Sequence, residues 1–105
     1  MACYAIVSVR MKAELLFRQR IDYDDGAIVE MVLWRVPAPV PPSAHRLKYS
    51  LFYGCPGVRE VGYDNERGKG DHRHCQGAET ADSFTSVEQL IADLWYDVST
   101  LRGAK

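Results

Sequence analysis

The chain has 105 residues, of which 47% are hydrophobic and 26% charged, and this is the size and composition of one globular domain with a single core. Thirteen Lys and Arg against fourteen Asp and Glu give a formal net charge of -1, so affinity for nucleic acid would have to come from a local patch. The three cysteines are widely spaced and form no C-x-x-C pair, which excludes a secreted disulfide scaffold and a zinc ribbon and favours a reducing cytoplasm.

Residues 1–10 are predicted to lie outside the main domain. They are mildly apolar but lack the basic start and small-residue cleavage site of a signal peptide, and no run approaches the roughly 20 apolar residues of a membrane-spanning helix. Met11 opens a better patterned segment. We therefore expect an N-terminal extension over 1–10, with an extra edge strand as the alternative, and a single domain over 11–105.

Two apolar segments joined by Asp25-Gly26 predict a β-hairpin. In residues 13–21, Leu15 and Phe17 alternate with polar neighbours at a period of two. Asp-Gly between two apolar runs is a strong hairpin signal. Residues 27–36 are apolar on both faces, which is typical of a central strand.

Residues 37–43 contain four prolines, which remove backbone donors and predict an extended connector. Residues 45–53 alternate again and predict a third strand, and residues 58–63 predict a short fourth strand after a glycine- and proline-containing turn. The residues that follow, within what we call the charged segment (residues 62–75), are interrupted by glycines and crowded with charge. They predict a loop.

The C-terminal part predicts one amphipathic helix. Thr85 and Glu88 match a capping box, in which the hydroxyl and the carboxylate each bind a free amide at the start of a helix. Apolar residues then recur at helical spacing up to Gly103. They are Val87, Leu90, Ile91, Leu94, Val98 and Leu101. The predicted fold class is α+β, a four-stranded antiparallel meander sheet with a C-terminal helix packed on one face, as a two-layer sandwich.

This arrangement would leave basic residues on the sheet face opposite the helix. The helix is expected to cover Leu15 and Phe17 of the first strand together with Leu47 and Leu51 of the third. The other face would carry cations suited to phosphate, namely Arg18, Arg20, Arg46 and Lys48. The alternative is that they are solvated positions paired with neighbouring glutamates.

The charged segment contains the group types that metal-independent RNA cleavage needs. These are a base for the 2′-hydroxyl, a cation for the pentavalent phosphate and an acid for the leaving oxygen. His72 and His74 are the predicted acid and base, because imidazoles exchange protons near neutral pH. Lys69, flanked by glycines, is predicted to act with them at the phosphate, and Arg67 and Arg73 to bind it.

Further residues complete the predicted site. Asp64 or Asp71 is expected to orient a histidine by accepting its second ring proton. Tyr63 is expected to stack on a base or to donate to a phosphate. Arg46 and Lys48 are predicted to extend the phosphate-binding surface from the neighbouring strand.

Two alternatives are open for the charged segment. Residues 59–74 contain four basic and four acidic side chains, so an ion-paired structural loop is one of them. The other is a metal site, since His72 and His74 with Asp71 or Cys75 resemble metal ligands. One compact cluster without a distant second pair of ligands is insufficient evidence for an ion, and we predict no metal and no cofactor.

Three segments of the sequence resemble the TumE family, which are small bacterial proteins regarded as toxins of type II toxin–antitoxin pairs. They are Trp34-Arg35-Val36-Pro37, residues 45–54, and residues 62–74 with the run Tyr-Asp-Asn-Glu-Arg-Gly-Lys-Gly-Asp-His-Arg-His. The resemblance extends from about Met11 to about Val98 and leaves out the first ten residues. It implies growth inhibition beside a separately encoded helix-turn-helix antitoxin, and it brings no established reaction.

The leading hypothesis is a TumE-like toxin that acts as a metal-independent endoribonuclease or otherwise on RNA. The alternative is a non-catalytic module that grips nucleic acid or protein with the same segment. Trp95 and Tyr96 flank the apolar stripe of the helix, where they either pack at the edge of the core or contact a partner. The expected partners are the antitoxin, RNA and a second copy of the chain.

Overall fold

The computed structural model describes residues 12–103, and the predicted N-terminal extension lies outside them. In this part of the chain, strands and a C-terminal helix follow one another in sequence. They are β1 (Glu14–Asp22), β2 (Ile28–Arg35), β3 (Leu47–Cys55), β4 (Val58–Glu66), β5 (Gly70–Cys75), β6 (Ala78–Ala81) and α1 (Val87–Gly103). The α+β class, with a C-terminal helix on an antiparallel sheet, is confirmed. The predicted number of four strands is wrong, because the sheet has six within residues 12–103.

All six strands form one antiparallel meander in the order of the chain. The charged segment is not a loop: it forms the end of β4, a tight turn and β5. Gly68 and Gly70 have φ values of +90° and +75°, and the Lys69 amide donates to the Glu66 carbonyl at 3.0 Å. The glycines that interrupt the sequence pattern are therefore turn residues between two paired strands.

The hydrophobic core lies between α1 and one face of the sheet. Strand alternation supplies Val29, Met31, Leu33, Tyr49, Leu51, Tyr53, Val61 and Tyr63, and the helix supplies Leu90, Leu94 and Val98. The predicted apolar stripe of the helix is confirmed, since Val87, Ile91 and Leu101 pack against the same cluster. We call this sheet side the helix-covered face, and the side turned away from α1 the open face.

A β-bulge in β1 changes which side chains the helix covers. The register shifts between Leu15 and Phe17, so Leu15 lies opposite Trp34 while Phe17 lies opposite Leu33. Phe17 packs against the core, but Leu15 is 46% exposed. The expectation that both lie under the helix is wrong for Leu15, because the extra residue of a bulge reverses the side on which the preceding residues point.

The helix begins one residue later than the predicted capping box implies. Ser86, and not Thr85, is the cap: its Oγ accepts a hydrogen bond from the Gln89 amide at 3.0 Å, and its carbonyl accepts from the Leu90 amide. A hydroxyl residue followed three positions later by Gln satisfies the same requirement of the free amides. Within residues 12–103, no helix has the length and apolarity that a bilayer crossing demands.

Candidate active site on the open face

The sheet register gathers polar side chains of β4, β5 and β6 on the open face. His72 is paired with Asp64 on its β4 side, and His74 is paired with Glu79 on its β6 side. Because residues two apart on a strand point to the same face, the two imidazoles stand side by side between the two carboxylates. We call Asp64, His72, His74 and Glu79 the open-face cluster.

His72 is the buried member of this cluster, with a side chain that is 4% exposed. Its Nδ1 lies 2.9 Å from the Gly70 carbonyl oxygen, which can only accept, so Nδ1 carries the proton. Its Nε2 then faces two carboxylates, at 2.5 Å from Asp64 Oδ1 and 3.2 Å from Glu79 Oε2. The lone pair of a neutral His72 thus points toward negative charge.

The close pair of His72 Nε2 and Asp64 Oδ1 is not a hydrogen bond. The oxygen does not lie in line with an N–H on the ring, and among residues 12–103 both buried atoms lack a hydrogen-bond partner. Leaving a buried polar atom unsatisfied costs about 1–3 kcal/mol. Both atoms therefore have the capacity to bind a further partner.

His74 is held by Arg59, which reaches it across the open face. Arg59 Nη2 donates to His74 Nδ1 at 2.9 Å, and His74 Nε2 lies 3.4 Å from Glu79 Oε2. Arg59 Nη1 also lies 4.0 Å from Asp64 Oδ2. A Cβ on Gly62 would come within 2.7 Å of Arg59 Cδ, so the glycine leaves the space in which the arginine crosses. The guanidinium thereby sits beside the His74 imidazole and the Asp64 carboxylate.

Sequence reasoning missed Arg59 and Glu79 as site residues. Arg59 reaches the cluster only because Gly62 clears its path, and nothing in the spacing of the two residues reveals that contact. Glu79 lies opposite His74 once the chain turns between β5 and β6. The glycine of the Gln76-Gly77 pair was the available sequence signal for that turn. In the structure both residues have positive φ.

The two predicted phosphate-binding cations of the β4–β5 turn are exposed. Lys69 Nζ lies 3.3 Å from Glu79 Oε2, and this hydrogen bond holds the pKa of the Glu79 carboxyl below its ordinary value. Arg67 lies at the tip of the turn. Lys69 is therefore at the edge of the open-face cluster.

Asp71 and its hydrogen-bond donors lie on the helix-covered face. Its carboxylate accepts from the Tyr49 hydroxyl at 2.6 Å and from Ser43 Oγ at 3.1 Å, and lies 2.8 Å from His45 Nε2. Burial acts to raise the pKa of Asp71, but the hydrogen bonds from Tyr49, His45 and Ser43 outweigh it and hold the pKa below its ordinary value. Burial and the bond to Asp71 raise the pKa of the Tyr49 phenol.

Arg73 and Tyr63 also lie on the helix-covered face and join β4 and β5 to α1. Arg73 forms two hydrogen bonds to Asp97 of the helix, at 2.9 and 3.0 Å, and the Tyr63 hydroxyl donates to the same carboxylate at 2.5 Å. The bond to Asp97 raises the pKa of Arg73, and burial raises that of Tyr63. Tyr63 is buried, so its ring faces the core and not the open face.

The remaining predicted cations are spread along the open face and its edge. Lys48 donates its Nζ to the Asn65 carbonyl oxygen, and Arg46 is exposed just before β3. Arg20 pairs with Asp22 at 3.2 Å. Of the predicted site residues, the structure brings together Asp64, His72 and His74, with Lys69 at their edge. It places Asp71, Arg73 and Tyr63 on the other side of the sheet.

The open-face cluster combines groups that can hold a cation or act on a phosphodiester. One ligating atom each from Asp64, His72 and His74 lies within 4.8 Å of the others. Two imidazoles and a carboxylate are metal ligands as well as acids and bases, and a guanidinium beside them can bind a phosphate through two parallel hydrogen bonds.

Comparison with known proteins gives one finding for this chain. The family model described as Toxin TumE matches residues 6–102, which is nearly the whole chain. The match begins earlier than the resemblance expected from Met11 onward, so part of the predicted extension falls within it. The searches of curated proteins and of solved structures gave no match.

Proposed function

Because the chain belongs to the TumE family of toxins, we propose that it inhibits growth by cleaving RNA at the open-face cluster. One observation carries this proposal: Asp64, His72 and His74 converge beside Arg59 on the sheet face turned away from the helix. A phosphodiester bound there would contact two imidazoles and a carboxylate that can transfer protons, and a guanidinium that can donate two hydrogen bonds to it. We also propose that this occurs in the cytoplasm.

The proposed reaction is attack of a ribose 2′-oxygen on the neighbouring phosphorus. The P–O2′ bond forms and the P–O5′ bond breaks, which leaves a 2′,3′-cyclic phosphate and a 5′-hydroxyl. The 2′-hydroxyl loses its proton, the 5′-oxygen gains one, and the phosphorane carries extra negative charge in between. Arg59 is suited to that charge because its side chain is 42% exposed and already reaches the cluster.

Exposed cations would guide the RNA toward this point. Lys69 and Arg67 at the β4–β5 turn are exposed and flank the cluster. Lys48 on β3 is half-buried and would have to release the Asn65 carbonyl to contribute. The metal-independent route of the sequence analysis, in which His72 and His74 exchange protons with the RNA, stays a prediction. It requires cleavage that chelators do not slow.

The test compares purified variants on a labelled single-stranded RNA of mixed sequence, with and without ribosomes. His74→Gln and Arg59→Gln are expected to lower the cleavage rate about 100-fold or more, the usual effect of losing an acid–base or charge-stabilising group. Arg35→Gln is the matched control, because Arg35 lies at the end of β2 with only an exposed contact to Glu14 at 3.7 Å. A 2′-deoxy substrate should resist cleavage.

Binding of RNA without cleavage, under every condition, would overturn the nuclease proposal. It would favour the alternative, a non-catalytic module that grips RNA or protein through the open face. RNA cut equally by wild type, His74→Gln and Arg59→Gln would show that the activity lies elsewhere on the chain or in a contaminant.

Membership of a toxin family implies an antitoxin partner. We propose that this partner is of the helix-turn-helix type and that a second copy of the chain can also bind. Of the two aromatic residues flanking the helix stripe, Trp95 packs against the core, whereas Tyr96 is 73% exposed. Tyr96 is thus the one available to anchor a protein partner.

A further inference from the structure

We propose that Asp64, His72 and His74 bind a divalent transition-metal ion such as Zn²⁺, with Glu79 as a fourth ligand. The binding itself does not depend on RNA. The part that the ion would play in cleavage rests on the function proposed above. If that function holds, the ion would act as a Lewis acid toward a phosphoryl oxygen, and it would replace the metal-independent route because His72 and His74 would be its ligands.

Three of these residues bring their ligand atoms close together. Ligand atoms that share one ion at about 2.0–2.2 Å each lie no more than about 4.4 Å apart. One ligating atom from each of Asp64, His72 and His74 already lies within 4.8 Å of the others. Glu79 Oε2 is 3.2 Å from His72 Nε2 and 3.4 Å from His74 Nε2, so it lies beside both imidazoles but outside the group of three. To serve as the fourth ligand, Glu79 has to leave Lys69 and turn toward Asp64.

Two unsatisfied atoms also point to an ion. His72 Nε2 and Asp64 Oδ1 are in contact but share no hydrogen bond, and the His72 side chain is only 4% exposed. A shared proton needs the oxygen in line with the ring N–H. An ion bound by both atoms would satisfy them together, because each would give it a lone pair.

His72 is oriented as a metal ligand would be. Its Nδ1–H donates to the Gly70 carbonyl, and this backbone bond leaves Nε2 as the free ligand atom within the cluster. Metal-binding histidines are usually held in this way, with the second ring nitrogen donating to a carbonyl or carboxylate. Gly70 supplies the carbonyl from the tight turn where its φ is +75°.

Charge selects the type of ion and identifies its competitors. Two carboxylates around two neutral imidazoles leave a negative site, and an N₂O₂ set with imidazoles suits zinc-like transition ions over Mg²⁺ or Ca²⁺. In this structure Arg59 and Lys69 offset the negative charge of the two carboxylates. Arg59 donates to His74 Nδ1, so it has to move away before that nitrogen binds the ion or takes up the proton that Nε2 gives up.

The experiment titrates chelator-treated protein without RNA. Isothermal calorimetry with Zn²⁺ should show one ion per chain, and Co²⁺ should give visible absorption bands of a protein-bound ion. Asp64→Asn and His74→Gln, on different strands, should each weaken binding at least tenfold. Arg59→Gln should strengthen it by removing the competing cation. His45→Gln, a histidine of the helix-covered face, should bind like wild type.

The proposal is overturned if wild type binds no ion, if both Asp64→Asn and His74→Gln bind as wild type does, or if His45→Gln loses binding equally. Circular dichroism of each variant verifies the fold, and the isosteric Asp64→Asn substitution guards against a collapse of the strand. Ion binding without RNA cleavage would support the metal site and refute the proposed nuclease activity. Chelator-resistant cleavage by protein that binds no ion would support the nuclease activity and refute the metal site.

Discussion

Replacing Asp71 by Asn tests whether this residue holds the fold together. The carboxylate is 12% exposed and accepts hydrogen bonds from three groups, with Tyr49 and His45 at Oδ1 and Ser43 at Oδ2. Hydrogen bonds to a charged group contribute about 1.5–3 kcal/mol each, and neutral ones about 1 kcal/mol. Asn keeps one acceptor oxygen, so the substitution removes one bond and the charge from two others.

Summed conservatively, this loss lowers the free energy of unfolding by about 3 kcal/mol. Urea denaturation followed by far-ultraviolet circular dichroism measures it directly, and the Tm should fall by more than about 10 °C for a domain of this size. Asp22→Asn is the control, because its pair with Arg20 is exposed and should change stability by less than about 0.5 kcal/mol. An equally small effect for Asp71→Asn would refute the structural role.

The same variant gives a prediction about pH. The pKa of Asp71 in the folded state is held below its ordinary value of 3.8, so its stabilisation is present above pH 3.8 and is lost as the pH falls through the folded-state pKa. The difference in unfolding free energy between wild type and Asp71→Asn should therefore shrink toward zero in strong acid. A difference that stays constant from pH 7 downward would contradict this account.

Two further predictions concern local geometry. Gly62→Ala brings a Cβ within 2.7 Å of the flexible Arg59 side chain, so RNA cleavage should fall about as far as in Arg59→Gln while the fold survives. Folded Gly62→Ala protein with full activity would contradict the role of Arg59. In Gly54→Ala the new Cβ would lie 2.1 Å from the Val58 carbonyl oxygen, which belongs to the backbone and cannot move aside, so that variant should fail to fold. Ser86→Ala removes the helix cap and should lower the free energy of unfolding by about 1 kcal/mol. Thr85→Ala should change it by only about a few tenths of a kcal/mol. The opposite order would show that Thr85 is the cap.

The parts of the fold that bury apolar side chains could be predicted from the sequence. Alternation reveals β3, because Leu51 points into the core while its neighbours do not. A run that is apolar on both faces reveals β2, whose Met31 lies in the same core. The helix is predictable for the same reason, at its own period. A bulge leaves no comparable signal, so the side of Leu15 could be learned only from the register of β1 against β2.

The charged segment defeated the hydropathy pattern because both faces of β5 are polar. Asp71 and Arg73 point to the helix-covered face, where Tyr49 and Asp97 satisfy them. His72, between them, points to the open face. Alternating polar residues with different partners look like a loop when only hydropathy is considered, and the ion pairs that make them a strand are visible only in three dimensions.

The residue types of the candidate site could be predicted from the sequence, but the face of the sheet on which each residue lies could not. The residue types Asp, His and His indicate chemistry wherever they lie, so Asp64, His72 and His74 could be selected from composition alone. Asp71 is excluded from the site because it lies on the opposite face of the sheet. A run of charged residues has no apolar neighbour that would show which residues point to which face.

The most direct test of the central claim compares two aspartates that lie on opposite faces of the sheet. RNA cleavage by Asp64→Asn and Asp71→Asn is measured at a low temperature at which circular dichroism shows both to be folded. Placement of the active site on the open face predicts that Asp64→Asn loses about 100-fold or more in rate, and that Asp71→Asn stays within about threefold of wild type. Loss of cleavage in Asp71→Asn with full activity in Asp64→Asn would contradict it.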